Sequence, residues 1–286
     1  MTKAGNKLDQ LKQLWQVSFK DTPEYTNFFF SRAYNGDKTV TRELDGKIVS
    51  ATQFRYFDII NGLKTYKGVY IYGVCTDPDF RRRGLSTEII NQIIMEQAKS
   101  GMDIAFLIPS DDHLFEFYAR LMFVPVFTVW EEQVSIDTIE TVKFQQGYSI
   151  ITPSGHKLYE FYNNFYMSLP KAALKDPDYF MFAIEDVIAG GGRIDVCGSD
   201  GEIRGFAASY GNTVKELLYL DNIARNTILS LLLTENAGET LKVYTQGHGP
   251  APSPEAVNKP IGMARIINPA LSEKDLYGSY ANLLLN

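Results

Sequence analysis

Cysteine is nearly missing from this chain of 286 residues, which has two, Cys75 and Cys197. Two cysteines cannot build a disulfide framework. Both fall in apolar stretches that read as strands, so they are expected as buried thiols in a reducing, cytoplasmic compartment. Histidine is scarce as well, and the three present have no metal-ligand spacing, which argues against a zinc site; no metal is expected. No apolar run reaches the roughly 18 residues that a membrane span needs. Met1 to Gln16 is too polar to contain the apolar core of a signal peptide. A basic excess is also lacking: 28 Lys+Arg against 34 Asp+Glu give a net charge of -6, which argues against a general nucleic-acid partner. What is abundant is apolar side chain, 45% of the residues, with 17 tyrosines and 18 phenylalanines among them, ample for a core. At about 150 residues per domain, the length suggests two domains.

Helical spacing of Leu8, Leu11, Leu14 and Trp15 predicts a helix over 7–19. A second helix starts at Asp21-Thr22-Pro23 and runs to about Asn35, with an aromatic face of Tyr25, Phe28, Phe29 and Phe30. Strands are predicted over 39–44 and 47–57, joined at the hairpin signal Asp45-Gly46, and over 68–76. A helix from Leu85 repeats Ile89, Ile90, Ile93, Ile94 and Ala98 and ends at Gly101. A short strand over 103–109, a helix over 113–121 and a strand over 124–134 follow.

The second half repeats this order. Helices are predicted over about 156–169 and 177–188, then a hairpin (193–196 and 203–210) around Ser199-Asp200-Gly201, a strand over 217–220, a helix from Asn222 to about Glu235 stopped by Gly238, and a strand over 241–245. Asp200-Gly201-Glu202-Ile203 echoes Asp45-Gly46-Lys47-Ile48 after the same pair of helices. The pattern is an internal duplication of one α/β unit. Residues 249–260 hold four prolines and read as a linker. A short strand over 263–267 and a last helix follow, the helix opened by the capping box Ser272-Glu273-Lys274-Asp275 and carrying Leu276, Tyr280, Leu283 and Leu284. The boundaries are therefore 1–137, 138–249 and a linker with strand–helix tail over 250–286.

The stretch that carries chemistry is Val74-Cys75-Thr76-Asp77-Pro78-Asp79-Phe80-Arg81-Arg82-Arg83-Gly84-Leu85-Ser86. It is a strand, a turn and a tight loop opening a helix. Such a loop turns backbone N–H groups toward the positive end of the helix dipole and makes a pyrophosphate site. Three arginines add charge, Gly84 permits close approach of the backbone, and Ser86 offers a hydroxyl.

With these residues the chain resembles the GCN5-related N-acetyltransferase (GNAT) superfamily, whose signature [Arg/Gln]-x-x-Gly-x-[Gly/Ala] is matched by Arg81-x-x-Gly84-x-Ser86. The family's downstream Tyr-x-[Lys/Arg]-x-Gly-Phe is matched by Tyr118-Ala119-Arg120-Leu121-Met122-Phe123, with Met122 in place of glycine. The duplicated half and Met263-Ala264-Arg265-Ile266-Ile267 resemble the bacterial Eis-like branch with tandem units. The fold class this implies is α/β (α+β): two tandem GNAT-like units, each a mixed, mostly antiparallel sheet flanked by helices, plus a short tail.

The resemblance implies acetyl-CoA as co-substrate. Val74, Cys75 and Thr76 would pair with its pantetheine arm, one of their N–H groups would polarise the thioester carbonyl, and Arg81, Arg82, Arg83, Gly84, Leu85, Ser86 and Thr87 would surround the pyrophosphate. Tyr118 would protonate the departing thiolate. The general base is not identified by the residues; in the Eis-like branch the terminal carboxylate serves, here Asn286. Cys75 is a poor nucleophile, in an apolar strand with no histidine nearby in sequence.

The expected reaction is direct acetyl transfer to a primary amine on a small molecule or peptide. Trp15, Phe28, Phe29, Phe30 and Trp130 are core or pocket aromatics, and the acidic balance favours a cationic acceptor. No Arg-x-x-Gly precedes the Asn222 helix, so the second unit reads as catalytically silent, closing the acceptor site. A homo-oligomer stays open. So do two alternatives, a non-catalytic acyl-CoA binder and a tandem-unit aminoacyl transferase, although the latter enzymes generally lack the Arg81–Ser86 type of loop.

Overall fold

The computed structural model describes residues 6–139, 147–236 and 240–282. The chain opens with α1 (Lys7–Phe19) and α2 (Pro23–Arg32), each begun by its expected chemistry. The Asn6 side chain accepts from the Leu8 amide, and the Thr22 hydroxyl accepts from the Tyr25 amide with Pro23 in the first turn. Strands β1 (Thr39–Leu44), β2 (Lys47–Asn61) and β3 (Lys64–Thr76) form an antiparallel meander. The turn between β1 and β2 has Asp45 at φ 50° and Gly46 at φ 76°, the paired left-handed residues of a type I′ hairpin. β2 and β3 outrun the predicted strands because residues 58–67 continue the same ladder around a second turn. α3 (Leu85–Lys99), β4 (Ile104–Leu107), α4 (His113–Ala119) and β5 (Val124–Val134) complete the first half.

The second half contains β6 (Tyr148–Ile150), α5 (Gly155–Ser168), β7 (Lys171–Leu174), α6 (Pro177–Ala189), β8 (Arg193–Ser199), β9 (Glu202–Tyr210), β10 (Thr213–Tyr219), α7 (Asn222–Glu235), β11 (Leu241–Gln246), β12 (Val257–Ile266) and α8 (Glu273–Leu276). The run β8–β9–β10–α7–β11 retraces β1–β2–β3–α3–β4. The turn at Asp200 and Gly201 repeats the left-handed pair, with φ 54° and 82°. These are the two tandem units expected from the sequence.

The units share one sheet of order β1-β2-β3-β4-β12-β5-β11-β10-β9-β8-β6, with β7 pairing on β2. Its centre is palindromic. β4 is parallel to β3 and antiparallel to β12, β12 is antiparallel to β5, and β5 is antiparallel to β11, which is parallel to β10. Each unit thus takes the strand beside its own parallel pair from the other half. This corrects part of the predicted linker: residues 257–260 are strand, not linker. Pro260 fits inside the sheet because the register with β5 shifts between Pro260 and Gly262.

The helices cover both faces. α1, α2 and α6 pack Leu14, Trp15, Phe29 and Phe182 on one side, and α3 packs Ile89, Ile90, Ile93 and Ile94 against Val69 and Ile71 on the other. The last helix is shorter than expected: its capping box is present, but it ends at Leu276. Gly278, at φ 78°, then turns the chain so that Ser279 bridges Phe127 of β5 and Tyr280 bridges Ala172 of β7. Leu283, Leu284 and the predicted stop at Gly238 lie outside the described residues.

Tyr280 anchors this tail in a buried polar cluster. Glu216 of β10 accepts from Tyr166 (2.6 Å) and Tyr280 (2.8 Å) on one oxygen and from Tyr162 (3.0 Å) on the other. Lys175 donates to the Tyr162 hydroxyl at 2.9 Å, with its ammonium 4.7 Å from the Tyr166 ring centre. Burial pulls the Lys175 ammonium down to about 8, against the opposing pull of Glu216, and pushes the Glu216 carboxyl up.

Candidate active site

The parallel strands β3 and β4 pair only from Gly68↔Ile104 to Tyr70↔Phe106. Past Tyr70 that edge of β3 has no strand partner among the described residues, so the two strands open as a V. On its other edge β3 carries a bulge between Tyr72↔Gln53 and Cys75↔Ala51, with Gly73 at φ 59°. A Cβ on Gly73 would lie 2.7 Å from the Trp15 ring, so only glycine fits the turn of the backbone here. Val74, Cys75 and Thr76 follow along the open arm. Cys75 itself is inert: its Sγ lies 3.5 Å from the Ala51 carbonyl, and burial pushes the thiol up to about 12.

At the end of this arm Arg81 Nε donates to the Thr76 carbonyl (3.1 Å), which ties the loop to the strand. Arg83 donates to the Asp79 carbonyl (3.0 Å) and lies 4.8 Å from the Phe80 ring centre. Arg82 sits at φ 62°, a left-handed conformation that costs a residue with a side chain about 1–2 kcal/mol. Gly84 is the N-cap of α3 at φ 81° and makes no side-chain cap bond. Side chains cap α1, α2, α5, α6 and α7 through Asn6, Thr22, Ser154, Asp176 and Asp221. The amides of Leu85, Ser86 and Thr87 are therefore left as free donors beside three exposed arginines. Such an arrangement of backbone and dipole is suited to an anion.

The second unit keeps the V without this site. β10 and β11 pair only at Thr213↔Lys242 and Val214↔Val243. Asp221 caps α7 by accepting from the Ala224 amide (2.9 Å), and it also takes hydrogen bonds from Arg204 (2.7 Å) and Tyr148 (3.0 Å). A carboxylate stands where the first unit leaves amides open, so this helix start repels a phosphate.

Tyr118, in the last turn of α4, is buried among Phe117 and Phe123, and burial pushes its phenol up to about 12. The following turn closes despite the methionine. The Phe123 amide bonds the Tyr118 carbonyl (3.1 Å), and Met122 adopts φ 66°, a conformation suited to glycine.

On the α1–α2 side the V borders a cleft of about 830 Å³ that runs along the seam of the two units. Trp15, Phe19, Asp21 and Tyr25 line one wall, Ile108, Ser110, Asp112 and Phe115 the next, and Tyr179, Phe182, Asp186 and Tyr210 the wall from the second unit. Lys215, Tyr244, Lys259, Ala281 and Asn282 complete the lining. Trp15 Nε1 donates to Asp21 (2.7 Å), and the Tyr25 hydroxyl donates to Asp186 across the seam (2.6 Å). Burial raises the Asp186 carboxyl and the nearby Asp21 charge raises it further, while the Tyr25 bond opposes both.

Residues 3–123 match the family described as acetyltransferase (GNAT) domain. The whole chain has the fold of tandem GNAT proteins. It aligns over 92% of its length with 70% of a probable N-acyltransferase from Enterococcus faecalis (17% identity, TM-score 0.70). It aligns over 92% with 72% of Eis1 from Mycobacterium abscessus (12% identity, TM-score 0.63). A tandem GNAT protein from the clavulanic acid biosynthesis pathway aligns with 93% of this chain over 97% of its own (11% identity, TM-score 0.50). A search of curated protein sequences gives no significant match.

Within residues 3–123, Val74 to Thr76 form the open arm of β3, Arg81 to Thr87 the loop and first turn of α3, and Tyr118 lies in the last turn of α4. Asn286 lies outside the described residues; Ala281 and Asn282, near it in sequence, line the cleft. The aromatics divide. Trp15 lines the cleft, whereas Phe28 stacks on Phe182 (6.1 Å between ring centres) and Phe29 and Phe30 pack on Trp15 in the core. Trp130 alternates with cleft-lining Val129 on β5 and is not part of the wall. Sequence reasoning missed Gly73, for which a lone glycine in an apolar strand is the available signal. It also missed Asp186, Lys215 and Lys259, for which no local signal exists.

Proposed function

We propose that the protein transfers an acetyl group from acetyl-CoA to a primary amine, with the first unit binding the co-substrate and the seam cleft admitting the amine. The observation that carries the reading is the uncapped start of α3, flanked by Arg81–Arg83 and continuous with the free edge of β3. Among the long helices of the chain this one keeps its first amides for a ligand. A pantetheine amide chain extends the sheet as an added strand along Val74–Thr76, and the pyrophosphate meets the amides of Leu85, Ser86 and Thr87.

In the transfer the amine nitrogen attacks the thioester carbon, the C–S bond breaks, and the amine loses a proton while the sulfur gains one. A backbone N–H by the Gly73 bulge stabilises the developing oxyanion. Tyr118 keeps its proton, since passing it to a thiol of ordinary pKa near 8.5 from a phenol near 12 runs uphill by roughly 5 kcal/mol. It therefore serves as a hydrogen-bond donor to the departing sulfur, whose final proton comes from the amine. The buried thiols Cys75 and Cys197 suit a reducing, cytoplasmic setting.

The test is a thiol-release assay with acetyl-CoA across a panel of amines, paired with thermal unfolding. Acetyl-CoA is expected to raise the melting temperature of the wild type and to leave Gly84→Glu unshifted. No shift of the wild type at millimolar acetyl-CoA overturns the proposal.

A further inference from the structure

The seam cleft is not acidic, although the chain carries a net charge of -6. Three carboxylates line it, Asp21, Asp112 and Asp186, and so do three ammonium groups, Lys20, Lys215 and Lys259. Lys20 adjoins Asp21 in sequence and Asp112 faces Tyr244; the remaining charges form two groups. Asp21 and Asp186 stand together with Trp15 and Tyr25 at the α1–α2 end, close enough that Asp21 raises the Asp186 carboxyl. That end abuts the β3 bulge through Trp15, which packs over Gly73.

Lys215 and Lys259 form a second group in the lining, and Lys242 lies close to Lys215. Burial lowers the Lys215 ammonium, and the charges of Lys242 and Lys259 lower it further. The sheet explains why they converge. Lys242 of β11 pairs with Thr213 of β10, and the register shift between Val214 and Glu216 releases Lys215 from the strand's alternation. Glu216 goes to the buried tyrosine cluster while Lys215 goes to the cleft. Lys259 arrives on the exchanged strand β12, opposite Val129, which forms apolar floor. Lys259 has a carboxylate neighbour in Glu131, at 3.6 Å, but among the described residues Lys215 and Lys242 make no ion pair. Three like charges with one carboxylate among them leave a place for an anion from outside.

We infer that the acceptor is a zwitterion: an amine that also carries a carboxylate or phosphate, the amine held by the Asp21–Asp186 end near the thioester and the anion held by Lys215 and Lys259. A polyamine fits this cleft poorly, since its second cation falls beside the lysines. The inference rests on the acetyl-transfer reading and narrows its substrate class.

The experiment is thiol release from acetyl-CoA with matched acceptors: lysine against lysinamide and 1,5-diaminopentane, and phosphoethanolamine against ethanolamine. The anionic member of at least one set is expected to show a KM at least tenfold lower than its neutral or cationic counterparts, and which set responds tells carboxylate from phosphate. Lys215→Glu is expected to raise the KM of that acceptor at least tenfold, with kcat and the KM of the counterpart that lacks the anionic group little changed, and Lys215→Arg to restore it. Circular dichroism and the acetyl-CoA thermal shift report whether each variant is folded. Equal or better use of the diamine and amide overturns the inference while leaving acetyl transfer standing, as does a Lys215→Glu effect shared by all acceptors. The absence of both thermal shift and thiol release in the wild type overturns the acetyl-transfer reading, and this inference with it.

Discussion

Burial of Lys175 has a measurable consequence for stability. Its ammonium titrates at about 8 in the folded protein, against an ordinary value near 10.5. The unfolded chain therefore binds more protons than the folded one between those two values, and folding gains stability as pH rises through that window. Below about pH 8 the full cost of burying the charge, about 3 kcal/mol, is present. Between pH 7 and pH 10 the linkage relation returns roughly 2–3 kcal/mol of it. Raised tyrosines, Tyr162, Tyr166 and Tyr280 among them, pull the other way once unfolded phenols begin to ionise near pH 10, so the raw curve mixes both effects. The difference between wild type and Lys175→Met removes the shared part. Urea unfolding of both proteins at pH 7, 8, 9 and 10 is expected to show wild type gaining about 2–3 kcal/mol relative to the variant across the series. A difference that stays flat from pH 7 to pH 10 refutes the reasoning, because the lysine would then be as easily protonated in the folded protein as in water.

Met122 is 71% exposed and held at φ 66°, so Met122→Gly is expected to relieve strain at little loss of packing. The gain is about 0.5–1 kcal/mol, read as a melting temperature higher by roughly 1–4 °C. Gly73→Ala forces a Cβ into the Trp15 ring at a left-handed position, and unfolding experiments should show a loss of about 2 kcal/mol or more together with weaker acetyl-CoA binding. Tyr118→Phe keeps the ring contacts with Phe117 and Phe123; steady-state kinetics are expected to show kcat lower by on the order of 10²-fold with the acetyl-CoA thermal shift retained.

Local signals carried much of this structure. The caps at Thr22 and Ser272, the two Asp-Gly turns and the loop from Arg81 to Ser86 are each read from a few adjacent residues, and each forms as its chemistry demands. The glycine-like turn at Met122 forms too, because the strain of one left-handed residue is smaller than what the Tyr118 and Phe123 packing returns. Partners distant in sequence were not legible. The bond between Tyr25 and Asp186 joins residues 161 apart, and nothing near either residue announces the other. β6 and β7 have three and four residues, too few to show a period. Residues 257–260 follow a proline-rich stretch and contain Pro260 themselves, so they resemble connection rather than strand until the sheet supplies β5 as their partner.

The exchanged central strands also set an order of events during synthesis. β4 and β5 are made early but are not neighbours; the strand that lies between them, β12, emerges more than 120 residues after β5 ends at Val134. At elongation rates of roughly 5–20 residues per second, the first unit waits many seconds with the inner edges of β4 and β5 unpaired. Its co-substrate loop can form in that interval, while the wall of the cleft that carries Lys259 cannot. The nascent chain therefore passes through a state able to hold a nucleotide but not its acceptor. During that time, two open strand edges depend on chaperones to keep them from pairing elsewhere.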